Sequence, residues 1–336
     1  MKRQRGVALI TVLLVVTIVT LVCAGLIARQ QLSIRNAGNQ LAISQAWQYA
    51  LGGEALGQAV LLRDLKAPGV DPRATIDHPL ESWAKPLPVF PIDGGEIGVA
   101  IEDLAGRFNL NSLVQDERRN ELAVKRFQRL LLRLKIDEPY AERLVDWLDK
   151  DLEPTGEYGA EDNQYLLMQP PYRTAGHEMQ DISELRLLLG MTEQNYRRLL
   201  PYVAVLPGKV PLNVNTASAM VLSSLGDSLD PASAQSLLAG RGREGYKELR
   251  SFLDQPALAG TGVTAAGLGV GSAYYQVRSE VRLGDRRLVL LSTLQRDPKG
   301  VVRVLRRDTG QPGYLSPVAE PSVSYTHLTL PTIYSV

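Results

Sequence analysis

The first thirty residues carry the clearest pattern of the chain, a short basic segment followed by a long uncharged one. Lys2, Arg3 and Arg5 precede Gly6, and no charged residue occurs from Val7 to Ala28. A helix of that length spans about 33 Å, close to the hydrocarbon thickness of a bilayer. Because positive flanks favour the cytoplasmic side, the pattern predicts one membrane helix with the remainder of the chain outside.

Apolar residues at helical spacing continue beyond this segment to about Lys66. They predict one helix over 7–66, about 90 Å long, whose second half packs on a soluble head. The Gly52–Gly53 pair is a point where such a helix could loosen, and a membrane helix hinged to a separate amphipathic helix would have the same topology. The stripe consists of Ile34, Ala37, Leu41, Ala42, Ala46, Tyr49, Ala50, Leu56, Ala59 and Val60.

Alternating apolar and polar positions mark strands at both ends of the remaining chain. After a proline-rich connector at 68–91, the alternation over 97–101 predicts one strand. Three more strands near the C-terminus are separated by glycine turns, which is typical of an antiparallel meander. Their ranges are 275–282, 287–294 and 301–305. We expect these four strands to form one small sheet against the long helix.

The segment between the two strand groups is predicted to be mostly helical and to contain a weak repeat. Residues 108–113 resemble residues 212–217, and each run precedes an apolar helical pattern. Residues 181–185 and 246–249 also resemble each other, since each begins a helix with a charged first turn. The paired short helices resemble helix-hairpin-helix (SAM-like) modules.

Composition narrows the possible functions. Lys and Arg number 37 against 36 Asp and Glu, so the basic excess typical of nucleic-acid binding is missing. The single cysteine, Cys23, cannot form an internal disulfide, and three histidines without ligand spacing do not predict a zinc site. We also find no phosphate-binding loop, serine elbow or Cys/His pair, so no enzymatic activity is predicted.

The N-terminal segment admits several interpretations. A cleaved secretory signal usually has a shorter apolar run with a small-x-small site after it. A lipoprotein signal needs a small residue before Cys23, where Val22 stands. A plain signal anchor remains possible. Gly6 followed by an uncharged helix resembles the type IV pilin and type II secretion pseudopilin family, which implies cleavage after Gly6 by a prepilin peptidase and N-methylation of Val7.

One position departs from that family's pattern. Most members carry an acidic residue fifth after the cut, where this chain has Thr11. A carboxylate in lipid is costly and is kept only where a partner charge exists, which in this family is the amine of the subunit ahead. The missing acid therefore suggests a subunit at the tip, and the chain is similar to the general secretion pathway protein K family. An ordinary subunit with a neutral substitution is the alternative.

The resemblance completes the predicted architecture, which is of the α+β class. A pilin-like long N-terminal helix packs on a small antiparallel sheet, with a large α-helical domain inserted between the first strand and the meander. The predicted parts are a leader (1–6), a transmembrane helix (7–28), the spine, connector and first strand (29–108), the insert (109–272), the meander (273–308) and a disordered tail (309–336). Residues 323–336 resemble a translated sequencing adaptor.

An acidic stretch at 146–163 is the densest cluster of carboxylates in the chain. Clustered carboxylates repel one another unless a cation neutralises them, and Ca²⁺ takes six to eight oxygens from flexible loops. The stretch lacks EF-hand spacing, and a solvated acidic loop is the simpler alternative. The resemblance to protein K implies a structural Ca²⁺ in this insert. The predicted ligands are Asp149, Asp151, Glu157, Glu161 and Asp162.

The predicted function is that of a minor pseudopilin at the tip of a type II secretion pseudopilus, acting in initiation and length control of assembly. The resemblance implies minor pseudopilins I and J, the major pseudopilin and prepilin peptidase as partners. It also implies a single pass through the inner membrane, with the N-terminus cytoplasmic and the head periplasmic. The alternatives are a type IV pilus minor pilin and a DNA-binding helix-hairpin-helix protein of an uptake system.

Overall fold

A continuous N-terminal helix dominates the structure. The computed structural model describes residues 5–66, 71, 74–297 and 299–309. Helix α1 (Arg5–Leu65) is about 90 Å long and is not interrupted at Gly52–Gly53. This confirms the single long helix predicted from the apolar stripe. Of the predicted leader and tail, residues 1–4 and 310–336 lie outside the described residues.

The principal sheet is antiparallel and has five strands in the order β1-β2-β9-β10-β11. In chain order, the strands of the described residues are β1 (Phe90–Ile92), β2 (Gly95–Asp103), β3 (Phe108–Asn109), β4 (Val114–Gln115), β5 (Arg118–Arg119), β6 (Val203–Ala204), β7 (Leu212–Asn213), β8 (Leu268–Gly269), β9 (Tyr274–Leu283), β10 (Arg286–Asp297) and β11 (Val301–Asp308). The C-terminal meander and the strand over 97–101 are confirmed, and the sheet has one more strand than predicted.

The additional strand, β1, comes from the end of the proline-rich connector. Pro91 lies opposite Glu96 of β2, at the edge of the sheet. Proline lacks a backbone N–H and is tolerated in a strand mainly at such an edge. A pattern-based prediction therefore assigned this proline to the connector.

Helix α1 packs on the sheet through its last twenty or so residues. Ala46, Ala50 and Leu61 are buried with Val277 and Leu294 in one apolar cluster. The predicted stripe extended back to Ile34, but the helix is exposed at Ile34 and Leu41. The head therefore covers a shorter part of the spine than the stripe suggested.

One buried charge ties α1 to the sheet. Glu54 accepts hydrogen bonds from Ser292 Oγ (2.6 Å) and from Arg307 Nε and Nη2 (2.7 and 2.9 Å). Although burial opposes the charged form, these hydrogen bonds and the guanidinium hold the pKa of Glu54 below its usual value. The ion pair fixes the register of the helix across β10 and β11.

Short helices fill the middle of the described chain. They are α2 (Glu121–Arg133), α3 (Tyr140–Leu148), α4 (Asp162–Tyr165), α5 (Glu193–Leu199), α6 (Ala219–Ser223), α7 (Pro231–Gly240) and α8 (Leu249–Leu253). Single 3₁₀ turns lie at Leu104–Gly106, Leu110–Leu113, Ile182–Leu187 and Pro256–Leu258. Two apolar clusters divide this region into a first unit (108–205) and a second unit (212–270).

Each unit is closed by a parallel pair of two-residue strands, β3 with β6 in the first and β7 with β8 in the second. Buried asparagines have matching roles. Asn111 donates to the Met179 carbonyl (3.0 Å) and accepts from the Met179 N–H (2.8 Å), and Asn215 does the same with Tyr246 (3.0 and 2.7 Å). The predicted repeat thus appears in the structure as the same pair of asparagine hydrogen bonds in both units. The assignment to helix-hairpin-helix modules stays a prediction.

Candidate metal centre and assembly helix

The acidic stretch folds as a loop around carboxylates at the end of α3. Asp146 is fully buried and accepts hydrogen bonds from the backbone N–H groups of Thr155 (2.8 Å) and Ala160 (2.6 Å). One turn earlier, Glu142 accepts from the N–H of Tyr158 (2.9 Å). Because both ends of the loop bond to α3, the loop has a defined shape.

Two glycines make this close approach possible. A Cβ at position 159 would lie 2.3 Å from Asp146 Oδ2, and Gly156 has a φ of +70°, which disfavours other residues. Gly156 therefore allows a sharp turn, and Gly159 makes room for the carboxylate that organises the loop.

Three of the predicted ligands converge beside this loop. Asp149, Asp151 and Glu161 each place a carboxylate oxygen within 4.8 Å of the others. Glu161 is only 1% exposed. Within the described chain, Asp149 Oδ1 and Glu161 Oε1 are buried without any hydrogen-bond partner. Buried unpaired carboxylate oxygens are costly and suit a hard cation.

The protonation of the cluster reflects this crowding. Burial, followed by the charges of Asp151 and Asp146, raises the pKa of Asp149 to about 7. Burial, followed by the charges of Asp146 and Asp149, raises the pKa of Glu161 to about 7. A divalent cation would offset both the burial of these carboxylates and their mutual repulsion, because it neutralises their charge and binds the oxygens that lack a hydrogen-bond partner. The donor set therefore fits Ca²⁺.

The other two predicted ligands are not brought into this group. Asp162 accepts from the Thr174 N–H (3.1 Å) and pairs with Arg173 (3.2 Å), while Glu157 is exposed. Sequence reasoning did not select Asp146, which positions the loop. The sequence feature that could have identified Asp146 is its position one helical turn before Asp149.

A second group of carboxylates contains Asp64, Asp77 and Glu81. A guanidinium already pairs with two of these carboxylates, while Glu81 accepts a hydrogen bond from Trp83 Nε1 (2.6 Å). Arg296 Nη2 donates to both oxygens of Asp77 (2.6 Å each), and Nη1 donates to Asp64 (3.2 Å). This cluster is an ion-pair centre of the fold, and the cation it holds is the protein's own arginine.

The N-terminal part of α1 is suited to lipid. The stretch Ala8–Leu65 contains a strongly apolar window, exposed along its length, that is long enough to cross a membrane. Its hydroxyl groups are satisfied within the helix: Thr11 donates to Ala8 O (2.9 Å), Thr17 to Leu13 O (2.8 Å) and Thr20 to Val16 O (2.7 Å). Such bonds let polar side chains lie in hydrocarbon.

Between the membrane segment and the head, α1 exposes further apolar side chains. They are Leu32, Ile34, Leu41 and Ile43. At 100° per residue, Leu32 and Ile43 lie on one face of the helix and Ile34 and Leu41 on the opposite face. Exposed apolar faces are typical of surfaces that pack against other helices.

Two domain models of one protein family match the chain. Both are described as type II secretion system protein K, and they cover residues 106–208 and 212–271. These ranges nearly coincide with the first and second units.

Relatives with the same description match along nearly the whole chain. A type II secretion system protein K from Pseudomonas aeruginosa is 52% identical and the match covers 93% of this chain and 95% of the relative. One from Aeromonas hydrophila is 35% identical, with coverage of 92% and 98%. Among solved structures, a chain of the GspK–GspI–GspJ complex of the enterotoxigenic Escherichia coli type 2 secretion system matches with a TM-score of 0.73 and 29% identity, over 82% of this chain and 99% of that one.

Proposed function

The chain belongs to the type II secretion system protein K family and is a minor pseudopilin, and we propose that it forms the tip of the pseudopilus. In this position it initiates assembly and limits length, because the bulky head permits growth only from below. The observation that carries the proposal is similarity to a GspK chain solved in a complex with GspI and GspJ. The similarity to secretion proteins favours this role over that of a type IV minor pilin.

Thr11 supports the tip position. An acidic residue here would need a positive partner on a subunit ahead, because a lone carboxylate in lipid is strongly disfavoured. Thr11 satisfies its hydroxyl on its own helix and needs no such partner. A subunit built in this way can be first in line.

The N-terminus fits processing at the membrane. We propose that prepilin peptidase cuts after Gly6 on the cytoplasmic side and that Val7 becomes the N-methylated first residue. The helix then keeps the subunit in the inner membrane as a single pass, with the head in the periplasm. The basic residues before Gly6 and the apolar window of α1 support this orientation.

The partners proposed are minor pseudopilins I and J, followed by the major pseudopilin below them. The exposed apolar side chains of α1 between Leu32 and Ile43 provide two opposite helix faces for these contacts. Packing of neighbouring spine helices would remove this surface from water.

Co-purification tests the assignment. The full chain in detergent, tagged at its head, is expected to retain pseudopilins I and J from its own secretion system in one complex. A double change, Leu41→Asp with Ile43→Asp, should weaken retention because it places one charge on each of the two proposed helix faces. An exposed control on the head, Arg303→Asp, should not. Failure of the unchanged chain to retain either protein would contradict the tip assignment.

We also propose that Asp149, Asp151 and Glu161 hold a structural Ca²⁺ at the end of α3. The two buried, unpartnered oxygens support this site. Glu157 and Asp162 complete the predicted ligand set only if the loop moves, since Asp162 is engaged with Arg173. When bound, the ion would join α3 to the start of α4 across the loop.

Calcium should raise the melting temperature of the full chain relative to EGTA. At 100 times its Kd, a ligand of the folded state stabilises by about 2.7 kcal/mol. Glu161→Gln should abolish most of this gain and should raise stability slightly in EGTA, because it removes a buried repelling charge. Glu153→Gln, on an exposed side chain of the same loop, is the matched control. An unchanged calcium response in Glu161→Gln would exclude the site.

A further inference from the structure

Helix α2 lies between the first and second units and is fastened to the second by two arginines. Arg129 forms an ion pair with Asp227, and Arg133 Nη2 donates to the carbonyls of Asp227 and Leu229 (3.2 Å each). A cavity of about 680 Å³ opens beside α2 at this junction. Its size lies within the range of pockets that enclose small ligands or short peptide segments.

A third arginine of α2, Arg126, lines the cavity and has no counter-ion in the described chain. It is only 6% exposed, and one nitrogen, Nη1, donates to the Ala266 carbonyl (2.9 Å). The other two, Nε and Nη2, are buried and have no hydrogen-bond partner among the residues that the structure describes. A buried charge left unpaired is strongly destabilising, so its retention needs an explanation.

The charged side chains near Arg126 are also mostly positive. Arg129 repels Arg126, and burial together with this repulsion lowers the pKa of Arg126 to about 10, which still leaves it charged at neutral pH. At the mouth of the cavity, Lys209 pairs with Asp116 (2.8 Å), whereas Arg118 is exposed. The cavity therefore has an excess of positive charge.

The two unpartnered donors of Arg126 determine which anion fits best. Nε and Nη2 are the two donors along one edge of a guanidinium, and this edge matches the two oxygens of a carboxylate. The rest of the lining is mixed. Its apolar part consists of Phe108, Leu122, Ala123, Val210, Leu212 and Leu225, and its polar part of Asn109, Ser112, Gln115, Arg119 and Asn120. The apolar part favours a single charge attached to an apolar group over a doubly charged, strongly hydrated anion.

We infer that this cavity binds a carboxylate that lies next to an apolar group, namely the C-terminal carboxylate of a polypeptide whose last residue is apolar. Arg126 supplies the counter-charge, its Nε–Nη2 edge turning towards the carboxylate on binding, Arg118 attracts the carboxylate, and the apolar part of the lining takes the last side chain. This activity is separate from assembly of the pseudopilus and from the calcium loop.

Calorimetric titration of the full chain in detergent tests the inference. The probe is N-acetyl-Ala-Ala-Leu with a free carboxylate, compared with the same peptide as its C-terminal amide and with inorganic phosphate. The acid is expected to bind at least about tenfold more tightly than the amide or phosphate, because only it combines a single negative charge for the guanidinium with a side chain for the apolar part of the lining. Arg126→Met should weaken acid binding by a similar factor, while the exposed control Arg250→Met should not.

Three results would overturn the inference. They are equal binding of acid and amide, unchanged acid binding in Arg126→Met, and phosphate binding as tight as that of the acid. If Arg126→Met does not fold, the comparison of acid with amide on the unchanged chain decides alone. Arg126→Lys adds a second check, because it keeps the charge but loses the bidentate edge and should bind the acid more weakly.

Discussion

At the acidic loop, the behaviour of single carboxyl groups decides what the site can do. Asp149 and Glu161 each bury an oxygen that finds no donor among the described residues. Asp146, although equally buried, has its oxygens satisfied by two backbone N–H groups of the loop. Asp146 thus shapes the loop, while the other two leave room for a cation.

The raised pKa values of these groups predict a pH dependence in the absence of calcium. Between about pH 4 and pH 7 the folded chain holds protons on Asp149 and Glu161 that the unfolded chain has lost. Stability in EGTA should therefore fall as pH rises through this window. Melting temperatures measured in EGTA from pH 5 to pH 8 test this, and Glu161→Gln should flatten the curve. With saturating calcium the fall should disappear, because the ion replaces the protons.

Sequence reasoning named all three carboxylates that converge, but named them together with Glu157 and Asp162, which do not join the group. Asp149 and Asp151 lie close along the chain, so their proximity is visible in the sequence. Glu161 joins them because the loop turns back at Gly156 and Gly159, which spacing alone does not specify. Asp162 is engaged by Arg173, a contact that depends on the same turn.

At the scale of elements, glycines on α1 set how closely the helix approaches the sheet. A Cβ on Gly57 would lie 2.6 Å from a Val277 methyl group, and one on Gly53 would lie 2.5 Å from Ser279 Oγ. A Cβ on Gly52 would meet nothing within 4 Å. The pair that sequence reasoning considered a loosening point therefore includes a contact residue, Gly53.

These neighbours provide a matched pair of substitutions. Gly57→Ala should destabilise the fold by about 1–3 kcal/mol, because it overpacks β9. Gly52→Ala should instead stabilise it by up to about 1 kcal/mol, since alanine is the better helix former and has free space. Denaturant unfolding of both variants in detergent measures the difference. Equal effects would mean that α1 does not pack against β9 as described.

The strands show where pattern is sufficient. β2 and β9 alternate because one face packs on α1 and the other faces away, so a period of two reveals them. The short strands β3 and β7 have only two residues each. Sequence reasoning found the repeat at 108–113 and 212–217 but predicted no strand there, because a two-residue strand is too short to show alternation.

At the scale of the whole molecule, one buried ion pair connects the three main parts. Asp77 of the connector binds Arg296 of β10 through both oxygens and also accepts from the Ser272 N–H (2.8 Å), next to the second unit. Arg296 reaches Asp64 near the end of α1 (3.2 Å). Helix, sheet and second unit thus share a single charged centre.

Removing this centre should affect the whole fold. Arg296→Met leaves Asp77 buried without its counter-ion, which should lower the free energy of unfolding by about 3–5 kcal/mol. Arg296→Met combined with Asp77→Asn should cost less than the sum of the single changes, because the charges disappear together. Arg303→Met, on the exposed face of β11, should change stability by less than about 0.5 kcal/mol. Additive losses would show that the two residues act separately.

The unbroken course of α1 also has a mechanical meaning. Its backbone hydrogen bonds run without a hinge from the membrane segment to the part clamped between Ala46 and Leu65. The helix is therefore a rigid rod, and a force along its axis at the membrane end is transmitted directly to the head. Each residue of α1 that leaves the bilayer moves the head by about 1.5 Å, because the helix has no flexible segment that would reduce the movement.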